Sequence, residues 1–245
     1  MLIKGLSILA LLALWIVAAF IFGDPQVLPM PHALLGPFWS ELTSGDLPYH
    51  LGMTAFRVFW AFVFAMTIGL ALGVVMGRYP AIDRWLDPWL VIFLNLPALV
   101  LIVLCYLWIG LNETAAILAV TLNKIPNVTT IIREGARALS PDLKAMGQVY
   151  AMPRGTYLRH VILPQLAPFI AAAARSGVAV IWKIVLVVEF LGRSNGVGFQ
   201  IHLYFQLFDV AHVLVYSLSF IAIMLIVEWL VLQPWERSVR NWRDA

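Results

Sequence analysis

Long apolar runs, parted by short polar breaks, set the pattern of the whole chain. Six of them, 6–22, 55–76, 86–109, 114–132, 166–188 and 210–232, come near or exceed the roughly 20 residues a helix needs to cross a hydrocarbon core. They predict an all-α, polytopic membrane bundle of about six transmembrane helices, because backbone polar groups inside lipid must be satisfied within the chain. The fourth run is the weakest span, because Asn123, Lys124, Pro126 and Asn127 interrupt it, and only an alternative reading takes it as a broken helix. The first run follows Lys4, as in a signal sequence. It is longer than a usual signal core and Gly23-Asp24-Pro25 is a poor cleavage site, so it reads as a retained signal anchor.

The connections divide by character. Residues 24–50 are rich in Pro and Gly, with Trp39 and Tyr49 as interfacial anchors, and the stretch 34–39 is expected to lie along one leaflet. Residues 189–209 read as a loop turned by Gly192, Gly196 and Gly198. The one long polar connection is 133–164. In it, Ser140-Pro141-Asp142 is a helix start, with Ser as N-cap and Pro at the first helical position. A short helix to about Tyr150 is broken at Met152-Pro153. A second, 153–161, is ended by Leu163-Pro164, where the fifth run begins. Ala145, Met146, Val149 and Met152 then make an apolar knob on a hairpin too polar for lipid, and such a knob wants a pocket on a partner. Packing on its own bundle is the alternative. The chain thus divides into an N-terminal helix with its following segment, 1–50, a five-helix core, 51–235, and a tail, 236–245.

Composition agrees and charge adds orientation. Hydrophobic residues are 62% and charged residues 12% of 245, the latter about half the share of soluble domains. The net charge of +3 does not point to nucleic acid, since the basic residues sit in short loops rather than on one face. With the N-terminus in the cytoplasm, eleven of the sixteen Lys and Arg residues fall on the inner side: Lys4, Arg78, Arg84, Arg133, Arg137, Lys144, Arg154, Arg159, Arg237, Arg240 and Arg243. Only Arg193 falls outside. By the positive-inside rule both termini are cytoplasmic, in a plasma (inner) membrane. The single Cys105 lies in an apolar run and excludes a disulfide framework.

Ionisable groups within spans are functional candidates by default. Lys124 and Arg175 fall at similar depth in the fourth and fifth runs and are read as a pathway that lowers the barrier for an anion; structural hydrogen bonding inside the bundle is the alternative. Arg57 and Lys183 are placed to snorkel. Glu189 is four residues before Arg193, able to pair with it if the helix continues, and is a candidate gate. Gly69, Gly73 and Gly77 allow close helix approach, within the bundle or between two copies. His32, His50, His160, His202 and His212 lack metal-ligand spacing, so no metal site is expected. No Gly-x-Ser-x-Gly context and no phosphate loop occur, so the chain is expected to be no enzyme, with no catalytic residues.

Anchored on Leu163-Pro164, the hairpin resembles the signature E-A-A-x3-G-x9-I-x-L-P of ATP-binding-cassette (ABC) importer permeases. The matching positions are Ala145-Met146-Gly147, Ala151, Val161, Leu163 and Pro164, with Met152-Pro153 between them. The acidic residue is missing, Met and Gly replace the two alanines, and Ala151 stands where the signature has glycine. That alanine costs roughly 1 kcal/mol if the turn is left-handed. Arg57 and the glycines after it, Arg175, Trp182, Glu189 and Gly196-x-Gly198-Phe199 resemble the nitrate/sulfonate/taurine branch. The resemblance, over about 51–234, implies a type I importer with a cytoplasmic coupling-helix hairpin. It implies a second permease copy as homodimer partner, a cytoplasmic ABC ATPase dimer that holds ATP and Mg, and a periplasmic substrate-binding protein. This chain would bind no cofactor itself and would move a small anionic solute. A secondary transporter with a broken fourth helix is the alternative.

Overall fold

The structure is a computed structural model and describes residues 2–234; the tail 236–245, with Arg237, Arg240 and Arg243, lies outside the described residues, as do the side chains of Lys4, Lys144 and Arg154. Eleven α-helices are described: α1 Leu2–Phe22, α2 Leu35–Ser44, α3 Asp46–Arg78, α4 Pro80–Asn95, α5 Ala98–Ile109, α6 Glu113–Arg137, α7 Pro141–Val149, α8 Arg154–Tyr157, α9 Leu163–Gly192, α10 Val197–Gln206 and α11 Val210–Val227. Their starts follow local chemistry. The Asn112 side chain accepts from Ala115 N at the head of α6, Ser140 caps α7 with Pro141 behind it, and Asp209 accepts from His212 N at the head of α11.

Five helical stretches are long and apolar enough to cross a membrane, and α4 with α5 makes a sixth candidate bent by 97°. This corrects the straight third span expected over 86–109. The break falls at Leu96-Pro97, where proline forces Leu96 into an extended conformation (φ −73°, ψ 121°). Three further boundaries move. Helix α3 begins at Asp46, after Gly45 in the left-handed region (φ 89°), so a division at 50/51 cuts a helix. Helix α6 is continuous through Pro126, and the broken fourth helix is not there. It lies between α3, α5 and α9, so packing on several sides outweighs the one hydrogen bond that proline removes. Leu163-Pro164 ends nothing either. The chain runs from α8 through a wide turn at Leu158–Ile162, where Leu163 N bonds Leu158 O, and on into α9.

Helix α6 is the axis of the bundle. Helix α3 lies against it along the Gly69, Gly73, Gly77 stripe, where added Cβ atoms would fall 2.6 Å from Val128 Cβ, 2.7 Å from Ile132 Cβ and 2.5 Å from Ala136 Cβ. Small buried residues, Ala61, Ala65, Ala115, Ala116 and Ala119, continue the close packing toward Ile181, Val185 and Tyr216. Helix α1 stands apart, almost wholly exposed, with Trp15 Nε1 donating to Pro29 O. The expected loop 189–209 holds α10, packed on α9, α11 and α3.

Candidate translocation and coupling sites

At the bundle end where α3 and α6 begin, a group of charges lies largely inside, with only Glu113 partly open to solvent. Arg57 is 1% exposed. Its Nε and Nη2 donate to the Glu113 carboxylate at 2.8 and 2.7 Å, and its Nη1 to Glu189 Oε1 at 2.6 Å and Asn195 O at 3.0 Å. Glu189 is 0% exposed, and its other oxygen accepts from Thr54 Oγ1 and Gly198 N, both at 2.9 Å. Arg193 completes the set, donating to Glu113 at 2.5 Å and to Leu111 O at 2.8 Å. Two guanidinium groups face two carboxylates, so the cluster is neutral as a whole.

Two expectations are corrected here. Arg57 does not snorkel, because its partners come to it from α6 and α9. Glu189 does not pair with Arg193, because α9 ends at Gly192 and Arg193 is extended (φ −108°, ψ 156°). Gly196 (φ 105°) presses on Glu189 and Arg57 and leaves no room for a Cβ. Its N–H donates to His50 Nδ1 at 2.9 Å. Nε2 of that ring therefore carries the proton, and the Gln200 carboxamide, whose nitrogen is placed 2.6 Å away and whose oxygen has no partner, must be turned over to accept it. Thr54 accepts from Val197 N. The turn between α9 and α10 is thus stitched to one face of α3. The spacing of His50, Thr54 and Arg57, four and then three residues, is the signal that marks that face in the sequence.

Beside this cluster, Glu41 of α2 accepts from Tyr204 at 2.7 Å and Tyr216 at 2.5 Å. Burial, then the bond to Glu41, pushes the Tyr204 phenol up, so it stays a donor. His212 stacks on Tyr204 and bonds Asp209. Helix α2 is held to α10 and α11 in this way.

Deeper in the bundle, Lys124 is 2% exposed, and its Nζ donates to Asn127 Oδ1 at 2.8 Å and Ser176 O at 3.4 Å. Arg175 does not join it. Its side chain turns to Glu228, just beyond α11, at 3.1 Å. Lys183 is exposed on α9 without an ionic partner among the described residues. Ala172, Arg175, Ser176, Val180, Lys183 and Val187 form one exposed stripe of α9, and Asn127 is exposed on α6. A stripe with two cations cannot face hydrocarbon cheaply.

At the other end, α7 closes against α8. Met152 N bonds Gly147 O at 3.0 Å and Ala151 N bonds Gln148 O at 3.1 Å, the pair of bonds that ends a helix around a left-handed residue. That residue is Ala151, at φ 47°. Gly147 is buried on the Tyr157 ring, where a Cβ would fall at 2.7 Å. Of the other signature positions, Ala145, Pro153 and Leu163 are exposed, Pro164 is half-buried and Val161 is buried. Met152 turns inward beside Gly147, which corrects the expected knob. The exposed apolar surface is instead Leu143, Met146, Val149 (82% exposed) and Tyr150 (75%). Leu143, Met146 and Tyr150 sit at helical spacing, a signal the knob reading passed over. Behind the hairpin, Arg133 bonds Asp87 at 2.5 Å and Asp83 at 3.3 Å, and Arg137 also reaches Asp83, tying α4 to α6.

Residues 65–233 match the family described as binding-protein-dependent transport system inner membrane component. The putative aliphatic sulfonates transport permease of Bacillus subtilis is 28% identical over 200 residues, 81% of this chain and 72% of that protein. The taurine transport system permease of Escherichia coli is 26% identical over 235 residues, 93% of this chain and 84% of that one. Among solved structures, an amino acid ABC transporter superposes with a TM-score of 0.66 at 21% identity, covering 82% of this chain and 98% of its own. The inward-facing MetNI methionine ABC transporter gives 0.63 at 18%, covering 77% and 92%. At those identities the likeness is one of fold. Bundle, hairpin and relatives together define the membrane-spanning permease of an ABC importer. The chain belongs to the binding-protein-dependent transport system inner membrane component family.

Proposed function

We propose that two copies of this chain form the pore through which a small solute bearing a nitrate- or sulfonate-type oxyanion group enters the cytoplasm. A binding protein delivers it at the end closed by Arg57 and Glu189. A separate ATPase pair, holding ATP and Mg, docks at the α7–α8 hairpin. The bias of Lys and Arg toward the hairpin end supports a cytoplasmic hairpin and cytoplasmic termini. Arg175, Lys183 and the neighbourhood of Lys124 line the passage, since the α9 stripe needs a second copy or water rather than lipid against it. Glu189 holds the outer end shut together with Arg57.

The observation that carries this reading is the hairpin itself. It presents exposed apolar side chains on a short helix closed by its own backbone, and α8 leads into α9 without a break over Gly155–Gly192. A displacement applied at Val149 is therefore passed into a span rather than absorbed in a loop. The secondary-transporter reading loses its main support with the continuous α6.

Val149→Asp tests the coupling. Charge buried without a partner in an ATPase cleft costs several kcal/mol, so the ATPase should be lost on purification in mild detergent, while the permease still inserts. Normal uptake with the ATPase still attached would show that the hairpin is not the coupling element.

A further inference from the structure

A buried ammonium group is normally held by a carboxylate, and Arg57 shows that this fold supplies them where cations are structural. Lys124 is treated differently. Among the described residues no acidic group lies within ion-pair distance of it, and its hydrogen bonds go to two neutral oxygens, one of them at 3.4 Å. A cation left so at mid-depth of a membrane protein is expensive. Its stem passes Phe62 and Gly177, a position where a Cβ would meet Lys124 Cε at an ordinary 3.6 Å.

Asn127 shows what the charge faces. Its Oδ1 is taken by Lys124, which turns its amide N–H groups away from the ammonium, and Asn127 itself is exposed on α6. The Ser176 hydroxyl donates to Ala173 O, so Ser176 gives only its carbonyl to the lysine. What remains beside the open stripe of α9 is a positive charge and amide donors, with no carboxylate and only the Ser176 hydroxyl oxygen as a neutral acceptor. Such a set attracts a group that carries negative charge on oxygen and rejects a cation.

We propose that Lys124 and Asn127 form a binding site for a monovalent oxyanion midway along the passage, with the ammonium as the charged contact and Asn127 both positioning it and donating to the anion. This rests on the chain being an importer pore and names the chemistry of its cargo. Strong-acid anions such as sulfonate and nitrate suit it, because they stay ionised throughout the crossing.

The test uses the permease purified with its ATPase, and follows thermal unfolding with sodium methanesulfonate, with sodium nitrate, with sodium chloride at equal ionic strength, and with uncharged dimethyl sulfone. Methanesulfonate or nitrate should raise the unfolding temperature beyond chloride, and dimethyl sulfone should not. Lys124→Gln should abolish the response, Lys124→Arg should keep it, and Asn127→Ala should weaken the apparent affinity about tenfold or more, the size of losing hydrogen bonds to a charged group. Asn127→Asp guards against misfolding of the glutamine variant: it gives Lys124 a carboxylate in place and should remove the anion response while the chain stays folded. An undiminished response in Lys124→Gln, or one reproduced by chloride or dimethyl sulfone, overturns the proposal. Failure of any ATPase to co-purify would instead strike at the importer reading and is seen before any anion is added.

Discussion

The Arg57 guanidinium binds α6 through Glu113, α9 through Glu189 and the following turn through Asn195, all from a position with almost no access to water. Burying such charges is costly, and the cost is met only while every partner is present. Replacing both members of a pair should therefore hurt less than the two single replacements added together. Arg57→Met leaves Glu189 with two neutral donors and no cation, and should destabilise by about 3–5 kcal/mol. Glu189→Met strands part of Arg57 and should cost a similar amount. In the double variant Glu113 still has Arg193 at 2.5 Å, so the loss should be smaller than the sum and close to that of one single variant. Unfolding midpoints of the four proteins in one detergent measure this cycle. Strict additivity would mean that the ion pair is not what holds the α9–α10 turn.

At the scale of elements, the α7–α8 hairpin carries two side chains whose exchange should act in opposite directions. Ala151 occupies the left-handed position that suits glycine, so Ala151→Gly should stabilise the closed hairpin by about 1 kcal/mol. Gly147→Ala drives a methyl into the Tyr157 ring and should loosen it. Hydrogen exchange at Met152 N, which bonds Gly147 O, should slow about fivefold in the first variant and quicken in the second. Equal exchange in all three would remove both the strain and the clash from the account. The start of this hairpin was legible because Ser140-Pro141 is chemistry acting over three residues. The glycine stripe was legible as spacing, though not as to which helix it meets. Pro126 misled because local propensity has no knowledge of the helices packed around α6. The bend at Leu96-Pro97 was missed because hydropathy records how apolar a run is and not where it points. The partners of Arg57 are 56 and 132 residues away, and only the folded bundle brings them together.

For the molecule as a whole, the bent pair α4–α5 decides the topology, and the ion pairs at its two ends show that it runs from one end of the bundle to the other. Asp83 and Asp87 at the start of α4 bond Arg133 near the end of α6, whereas Glu113 at the start of α6 bonds Arg57 and Arg193. The chain must travel from the hairpin end to the opposite end between Pro80 and Glu113, so α4–α5 counts as one span, the sixth candidate, despite the 97° bend. With six spans, the start of α1 and the end of α11 would lie on the hairpin side, as the proposed orientation requires. Cys105 is buried, so single cysteines introduced elsewhere report with little background. Tyr150→Cys, on the exposed hairpin, and Leu207→Cys, in the exposed turn between α10 and α11, mark the two ends. In intact cells a membrane-impermeant maleimide should label Leu207→Cys and leave Tyr150→Cys untouched until the cells are permeabilised. Labelling of Tyr150→Cys in intact cells would invert the bundle, place the apolar surface of α7 away from ATP, and leave the hairpin no energy source to couple.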